Sequence, residues 1–443
     1  MTLDLEALRA RLAGGDTSIE SRLLHLPDPG GDGPVVPDIP ASSMWQAPDE
    51  ETLAARFQSI IDSDPPVDRV IPEGAAKIYL RLGSPLEWRL ADAIALAQGG
   101  DTSILFCDGM RAIASAVAFR LHAGAEMITG VPLYGCTDNL FSNWMPKLGV
   151  KVHFVPPDDV EGIRAKINRR TRVVYVETVS NPSLKLADLP ALKAMIAEVN
   201  ADRAEEEKVG LVIDNTFATP YACDPFALEP ALDETIVVHS TTKGINGFSA
   251  GLGGAVVIPW KYWKTLFLHK KDFGGTLAPE QAHHLFTRSL RTMALRIRTM
   301  QKNSAALAEL LEAHPAVAAT IYPGLESFPQ HDLARQMLVD WNGDFAPGHM
   351  ISFVMDGATD EERMARGKAV MDQLSANSKL YVTAVSLGYI ATLIEHPAGG
   401  THATVAPDER ESRGIVPGLI RLAVGIEPAD DLLRDLLAAL DAV

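Results

Sequence analysis

Cysteine is scarce: Cys107, Cys136 and Cys223 are the three in 443 residues, and no two form a C-x-x-C pair. An odd, scattered set excludes a disulfide framework and a structural zinc site, and it fits a reducing compartment. Positive charge is also short, with 40 lysines and arginines against 57 aspartates and glutamates and a formal net charge of −17. Nucleic acid and anionic membrane reward basic surface, so neither is an expected partner. Long apolar runs are lacking too. The most apolar stretch, 112–128, is broken by Arg120, His122 and Glu126 and is not expected to span a membrane. The first residues, Met1-Thr2-Leu3-Asp4-Leu5-Glu6, carry acid where a secretory leader carries base. The cytoplasm is therefore the expected location.

What is present is an ordinary globular balance, 47% hydrophobic and 22% charged. So long a chain exceeds one hydrophobic core. We expect an N-terminal arm over 1–75, rich in Pro, Gly and Asp, a large domain over 76–314 and a smaller α/β domain over 315–443. Short apolar runs at Met127–Val131, Val150–Val155, Arg172–Glu177, Gly210–Asp214 and Thr235–His239 alternate with helical patterns such as Leu189–Val199. That alternation predicts a mainly parallel sheet with crossover helices, and ligands at its C-terminal strand ends. The later runs Met350–Met355 and Leu419–Val424, with helices at Asp360–Leu374 and Pro428–Leu440, suit the smaller domain.

Two strand ends carry chemistry. Asp214 closes Gly210-Leu211-Val212-Ile213, and Ser240-Thr241-Thr242-Lys243 follows Thr235-Ile236-Val237-Val238-His239. Pyridoxal 5′-phosphate needs a lysine for its Schiff base, hydroxyls beside that lysine for its phosphate, and a carboxylate for its ring nitrogen. A lysine that loses solvent beside a cationic ring has a lowered pKa and can move protons at a substrate Cα. The predicted helix from Gly109 would offer Gly109 and Met110 backbone N–H groups and a positive dipole end to the phosphate.

The stretches Asp214-Asn215-Thr216-Phe217-Ala218-Thr219-Pro220 and His239-Ser240-Thr241-Thr242-Lys243 resemble the cysteine and methionine metabolism family of pyridoxal phosphate enzymes. The resemblance implies the aspartate aminotransferase-like α/β fold, known as fold type I. It makes Lys243 the cofactor lysine, Asp214 the ring-nitrogen partner, and Ser240 and Thr242 phosphate ligands. Tyr134 in Tyr134-Gly135-Cys136-Thr137 matches the ring-stacking tyrosine that can protonate a γ-leaving group. Asn181 matches the ligand of the cofactor's phenolic oxygen, and Arg421 the clamp on the substrate carboxylate, assisted by Ser386. Tyr79 and Arg81 resemble a Y-x-R pair that reaches the phosphate of a neighbouring subunit, which implies a homo-oligomer, usually a dimer of dimers.

Cys136 and the pair Lys271-Asp272 resemble the methionine γ-lyase members, implying a catalytic role for Cys136, a substrate-binding role for Asp272, and γ-elimination from a γ-substituted L-amino acid. The products would be a 2-oxo acid, ammonia and the leaving group. Two alternatives stay open: γ-replacement, as in cystathionine γ-synthase or O-acylhomoserine sulfhydrylases, and a lyase for a non-sulfur leaving group such as that of canavanine. Departures from the family pattern lie at Asp108 and Arg111 around the glycine-methionine pair, at Phe248-Ser249-Ala250, and at Ala391-Thr392-Leu393. A non-catalytic binding protein would be expected to have lost Lys243, Asp214 or Arg421, and all three stand.

Overall fold

The computed structural model describes residues 17–25, 36–61, 77–397 and 416–443. Part of the expected N-terminal arm lies outside the described residues. Seven strands form the first sheet: β1 (Thr102–Phe106), β2 (Glu126–Gly130), β3 (Lys151–Val155), β4 (Thr171–Glu177), β5 (Gly210–Asp214), β6 (Thr235–His239) and β7 (Gly254–Ile258). Their order is β1-β7-β6-β5-β4-β2-β3, with β7 antiparallel to both neighbours and the other pairs parallel. The five runs read as strands from the sequence are β2 to β6. Strands β4, β5 and β6 are apolar along nearly their whole length because helices cover both faces. β1 and β7 went unread. β7 follows β6 through a loop rather than a helix, so it breaks the strand-helix alternation that revealed the others.

Helix α1 (Pro85–Gln98) starts where Ser84 accepts a hydrogen bond from the Glu87 N–H and Pro85 fills the first turn. It ends at Gly99, whose φ of 80° suits a residue without Cβ. α2 (Gly109–Ala118) leaves the C-terminal end of β1. After α3 (Leu189–Asn200) and α4 (Trp260–Phe273), the 24-residue α5 (Leu290–Ala313) runs toward a second sheet. That sheet orders as β10-β11-β12-β9-β8, comprising β8 (Val317–Ile321), β9 (Met350–Met355), β10 (Val382–Thr383), β11 (Leu393–Glu395) and β12 (Leu419–Ala423). α6 (Asp360–Asn377) packs on it, and α7 (Ala429–Asp441) packs against α5 and α6.

α5 is tied by polar anchors to the segments that follow β6 and β12. Buried Arg296 donates to the carbonyls of Gly244, Ile245 and Ser289, and Asn303 donates to those of Gly425 and Glu427. These bonds satisfy carbonyls that irregular chain would otherwise bury unpaired. The Arg296 anchor fixes the segment just after Lys243.

Two buried histidines bear on stability. Burial pushes His239 down to about 3, and burial together with nearby Arg296 pushes His349 down to about 4. Neither ring nitrogen of His349 has a hydrogen-bond partner among the described residues. An unfolded chain protonates such a histidine below pH 6.5 or so while the fold refuses the proton until about 4, so stability falls as pH drops through that window. We expect His349→Leu to stabilise the protein by about 2 kcal/mol more at pH 5 than at pH 7.5. Thermal midpoints of the variant and the natural protein at the two pH values check this.

Candidate active site

The C-terminal ends of β4, β5 and β6 bring Glu177, Asp214 and Ser240 to one edge, with Glu177 in register with Asp214. Asp214 is half-buried and accepts hydrogen bonds from the Tyr175 hydroxyl at 3.1 Å and the Thr216 N–H at 3.0 Å. Burial pushes its carboxyl up despite those bonds, and no cation among the described residues offsets the effect. The donor set therefore lacks one partner, a cation facing Asp214. The protonated nitrogen of a pyridine ring is such a partner.

Thr216 also accepts from the Ser240 N–H at 2.9 Å, tying the Asp214 turn to the segment that carries Lys243. Across from Ser240 stands the N-terminus of α2. A Cβ on Gly109 would lie 2.6 Å from the Ser240 Cβ, so only glycine lets the helix approach this closely. Asp108 caps the helix by accepting from the Arg111 N–H at 2.7 Å. The family departure at this position thus serves as a cap. Gly109, Ser240 and the helix end form a cradle whose N–H groups and hydroxyl suit a phosphate. Gly109→Ala should weaken cofactor affinity by at least about tenfold, read by titrating the apoprotein and following cofactor absorbance. The Thr242 hydroxyl is engaged instead with Gly253, donating to its carbonyl at 3.2 Å and accepting from its N–H at 3.0 Å. Met110 accepts a sulfur contact from Thr137 at 3.9 Å.

Lys243 Nζ donates to the Ser386 hydroxyl at 2.7 Å. Burial and the nearby Arg421 guanidinium lower the lysine's pKa, while Glu395 opposes them. Ser386 has a φ of 104°, a strained value for a residue with a Cβ. Its carbonyl accepts from Arg421 Nη2 at 2.9 Å, and Asn181 Oδ1 accepts from Nη1 at 2.7 Å. The Asn181 amide nitrogen stays available for a phenolic oxygen. Glu177 joins the other side, accepting from the Tyr134 N–H at 2.8 Å and the Asn181 N–H at 3.3 Å. Burial and Asp214 push Glu177 up to about 8. The Tyr134 hydroxyl, pushed up to about 12 by burial and a hydrogen bond with Cys136, keeps its proton.

A family model described as the Cys/Met metabolism PLP-dependent enzymes matches residues 57–441. The chain belongs to that family. An L-methionine gamma-lyase of Fusobacterium nucleatum subsp. nucleatum is 38% identical over 373 residues, 84% of this chain and 88% of its own. One from Pseudomonas deceptionensis is 36% identical over 414 residues, covering 93% and 94%. A cystathionine gamma-lyase of Bacillus subtilis is 34% identical over 366 residues, covering 82% and 89%. The crystal structure of cystathionine gamma-lyase from Lactobacillus plantarum complexed with L-serine superposes with a TM-score of 0.81 at 27% identity, covering 96% of this chain and 99% of that one. Membership makes this chain a pyridoxal phosphate-dependent lyase of fold type I. The geometry around Asp214 and Gly109 fits that cofactor.

Lys243, Ser386, Arg421, Asn181, Tyr134, Cys136, Asp214, Ser240 and Gly109 are thus linked through a few shared contacts. Tyr79, Arg81 and Asp272 are placed differently. Arg81 donates to the Lys271 carbonyl and lies 5.5 Å from the Tyr79 ring centroid, while Lys271 pairs with Asp272. No described contact joins these four to Lys243 or Arg421. Sequence reasoning missed Tyr175, Thr216 as a bridge, and Glu395. The alternation of strand faces could have flagged Tyr175, two residues before Glu177, but a strand tyrosine reads as core. Among the described residues no cluster of three His, Cys, Asp or Glu side chains is placed to hold a metal, and no helix is long and apolar enough to cross a membrane.

Proposed function

We propose that this lyase carries out γ-elimination on a γ-substituted L-amino acid, with methionine the first candidate, in the cytoplasm. Methionine and water would give methanethiol, 2-oxobutanoate and ammonia. The observation that carries this reading is the continuous hydrogen-bonded line Lys243–Ser386–Arg421–Asn181, which sets a poised amine beside a guanidinium fork.

When bound, pyridoxal phosphate supplies an electron sink for the pair left at Cα. Asp214 keeps its ring nitrogen protonated, and Asn181 donates to its phenolic oxygen. Gly109, Met110 and Ser240 hold its phosphate, with Thr242 contributing if it exchanges its bond to Gly253. Arg421 clamps the substrate α-carboxylate through its remaining N–H groups, and the Ser386 hydroxyl steadies the Lys243 amine. That amine, with its pKa lowered by burial and by Arg421, removes the Cα proton. Tyr134 holds its proton at neutral pH and can deliver it to the departing sulfur, with Cys136 fixing the hydroxyl. Tyr79 and Arg81, which make no described contact with their own Lys243, serve the phosphate of a second subunit. Asp272 and its Lys271 partner support that contact in a dimer of dimers.

The test is release of 2-oxobutanoate and ammonia from methionine, homocysteine, cystathionine, O-acetylhomoserine, O-succinylhomoserine and canavanine with no added nucleophile. Release from a thioether supports the proposal. Product formation only when a thiol is supplied would replace it with γ-replacement.

A further inference from the structure

The guanidinium that faces the substrate carboxylate is already paired. Glu395 on β11 stands in register with Arg421 on β12, and Arg421 Nη2 donates to Glu395 Oε2 at 2.6 Å. Both are nearly sealed from solvent, at 8% and 6% exposure. Of the five guanidinium N–H donors, one goes to Asn181 and two, both on Nη2, go to Ser386 and Glu395. That leaves one Nη1 hydrogen and Nε–H for a ligand among the described residues. The fork is therefore held in place, and its charge is offset before any substrate arrives. The field of Glu395 also reaches the catalytic pair, opposing Arg421 at both Lys243 and Tyr134.

We propose that Glu395 is a positioning and specificity-determining residue: it locks Arg421 for the α-carboxylate and, by cancelling its charge, selects substrates whose γ-substituent carries no second negative group. This rests on the γ-elimination reading of the site. An uncharged or cationic leaving group meets no penalty there. A leaving group ending in a carboxylate would bring a second anion beside a guanidinium whose charge Glu395 already offsets. Such groups are costly to bury unpaired. The class selected is neutral thioethers and esters, against succinyl esters and other acidic γ-substituents.

The test uses holoenzyme and two unreactive ligands sharing an α-carboxylate, L-norleucine with a neutral side chain and L-2-aminoadipate with an acidic one. Affinity is read from the change in cofactor absorbance. The natural protein should bind norleucine at least about tenfold more tightly, and Glu395→Gln, which keeps an acceptor for Arg421 but removes the charge, should narrow the gap to about threefold. Glu395→Ala, which removes the acceptor as well, should weaken both ligands together. A natural protein that binds the two ligands equally, or a gap unchanged in Glu395→Gln, would overturn the proposal. If the variants do not fold, a natural protein that binds the two ligands equally still overturns the proposal. Norleucine has no leaving group, so the gap is measured whether or not methionine turns over. Absent 2-oxobutanoate with the gap intact would remove the γ-elimination reading alone.

Discussion

Lys243→Ala will lose at least about 10⁴-fold in 2-oxobutanoate release, because the variant has no amine to hold the cofactor covalently or to take the Cα proton. The cofactor will still bind through the Gly109–Ser240 cradle and the Asp214 carboxylate, but without the absorbance shift of a lysine-bound ring. Single-turnover and steady-state assays, beside an absorbance spectrum, separate the two losses. Turnover within about tenfold of the natural protein would refute the assignment of Lys243 as the central base. The Ser386 contact is local, so the thermal midpoint should barely move.

Arg421→Met will be the most damaging change to stability within the site. It takes the guanidinium out of the buried Arg421–Glu395 pair, and breaking such a pair from one side costs about 3–5 kcal/mol. The substrate KM should rise by roughly 10²-fold as well if Arg421 is the carboxylate clamp proposed above. The double change Arg421→Met with Glu395→Leu removes both charges and should recover most of the stability while recovering none of the substrate affinity. Thermal midpoints paired with KM values read the split. A single variant as stable as the natural protein would mean that the pair is well solvated, contrary to its burial.

The sequence made much of this site legible because strand ends are written locally. Asp214 and Ser240 each terminate an apolar run, and each lies where such a run in a parallel sheet presents its ligand-facing edge. Lys243 follows within one turn. Glu395 was illegible for the opposite reason. One acid after Leu393-Ile394 looks like the polar end of a short strand, and its partner Arg421 lies 26 residues away. Only the antiparallel register of β11 and β12 makes them neighbours, and register is a property of the assembled sheet. Asp108 was legible as a departure but not as a cap, since its role depends on the backbone angle where β1 turns into α2.

The reversal of β7 has its own consequence. Because β7 returns antiparallel beside β6, the segment from Ser240 to Gly253 leaves and re-enters the sheet at adjacent points, and Thr242 stitches its mouth to Gly253. The lysine therefore sits on a closed loop whose closure entropy is met by folding rather than by ligand binding. Its backbone arrives pre-ordered, so the amine can be repositioned by side-chain rotation alone, without moving the loop.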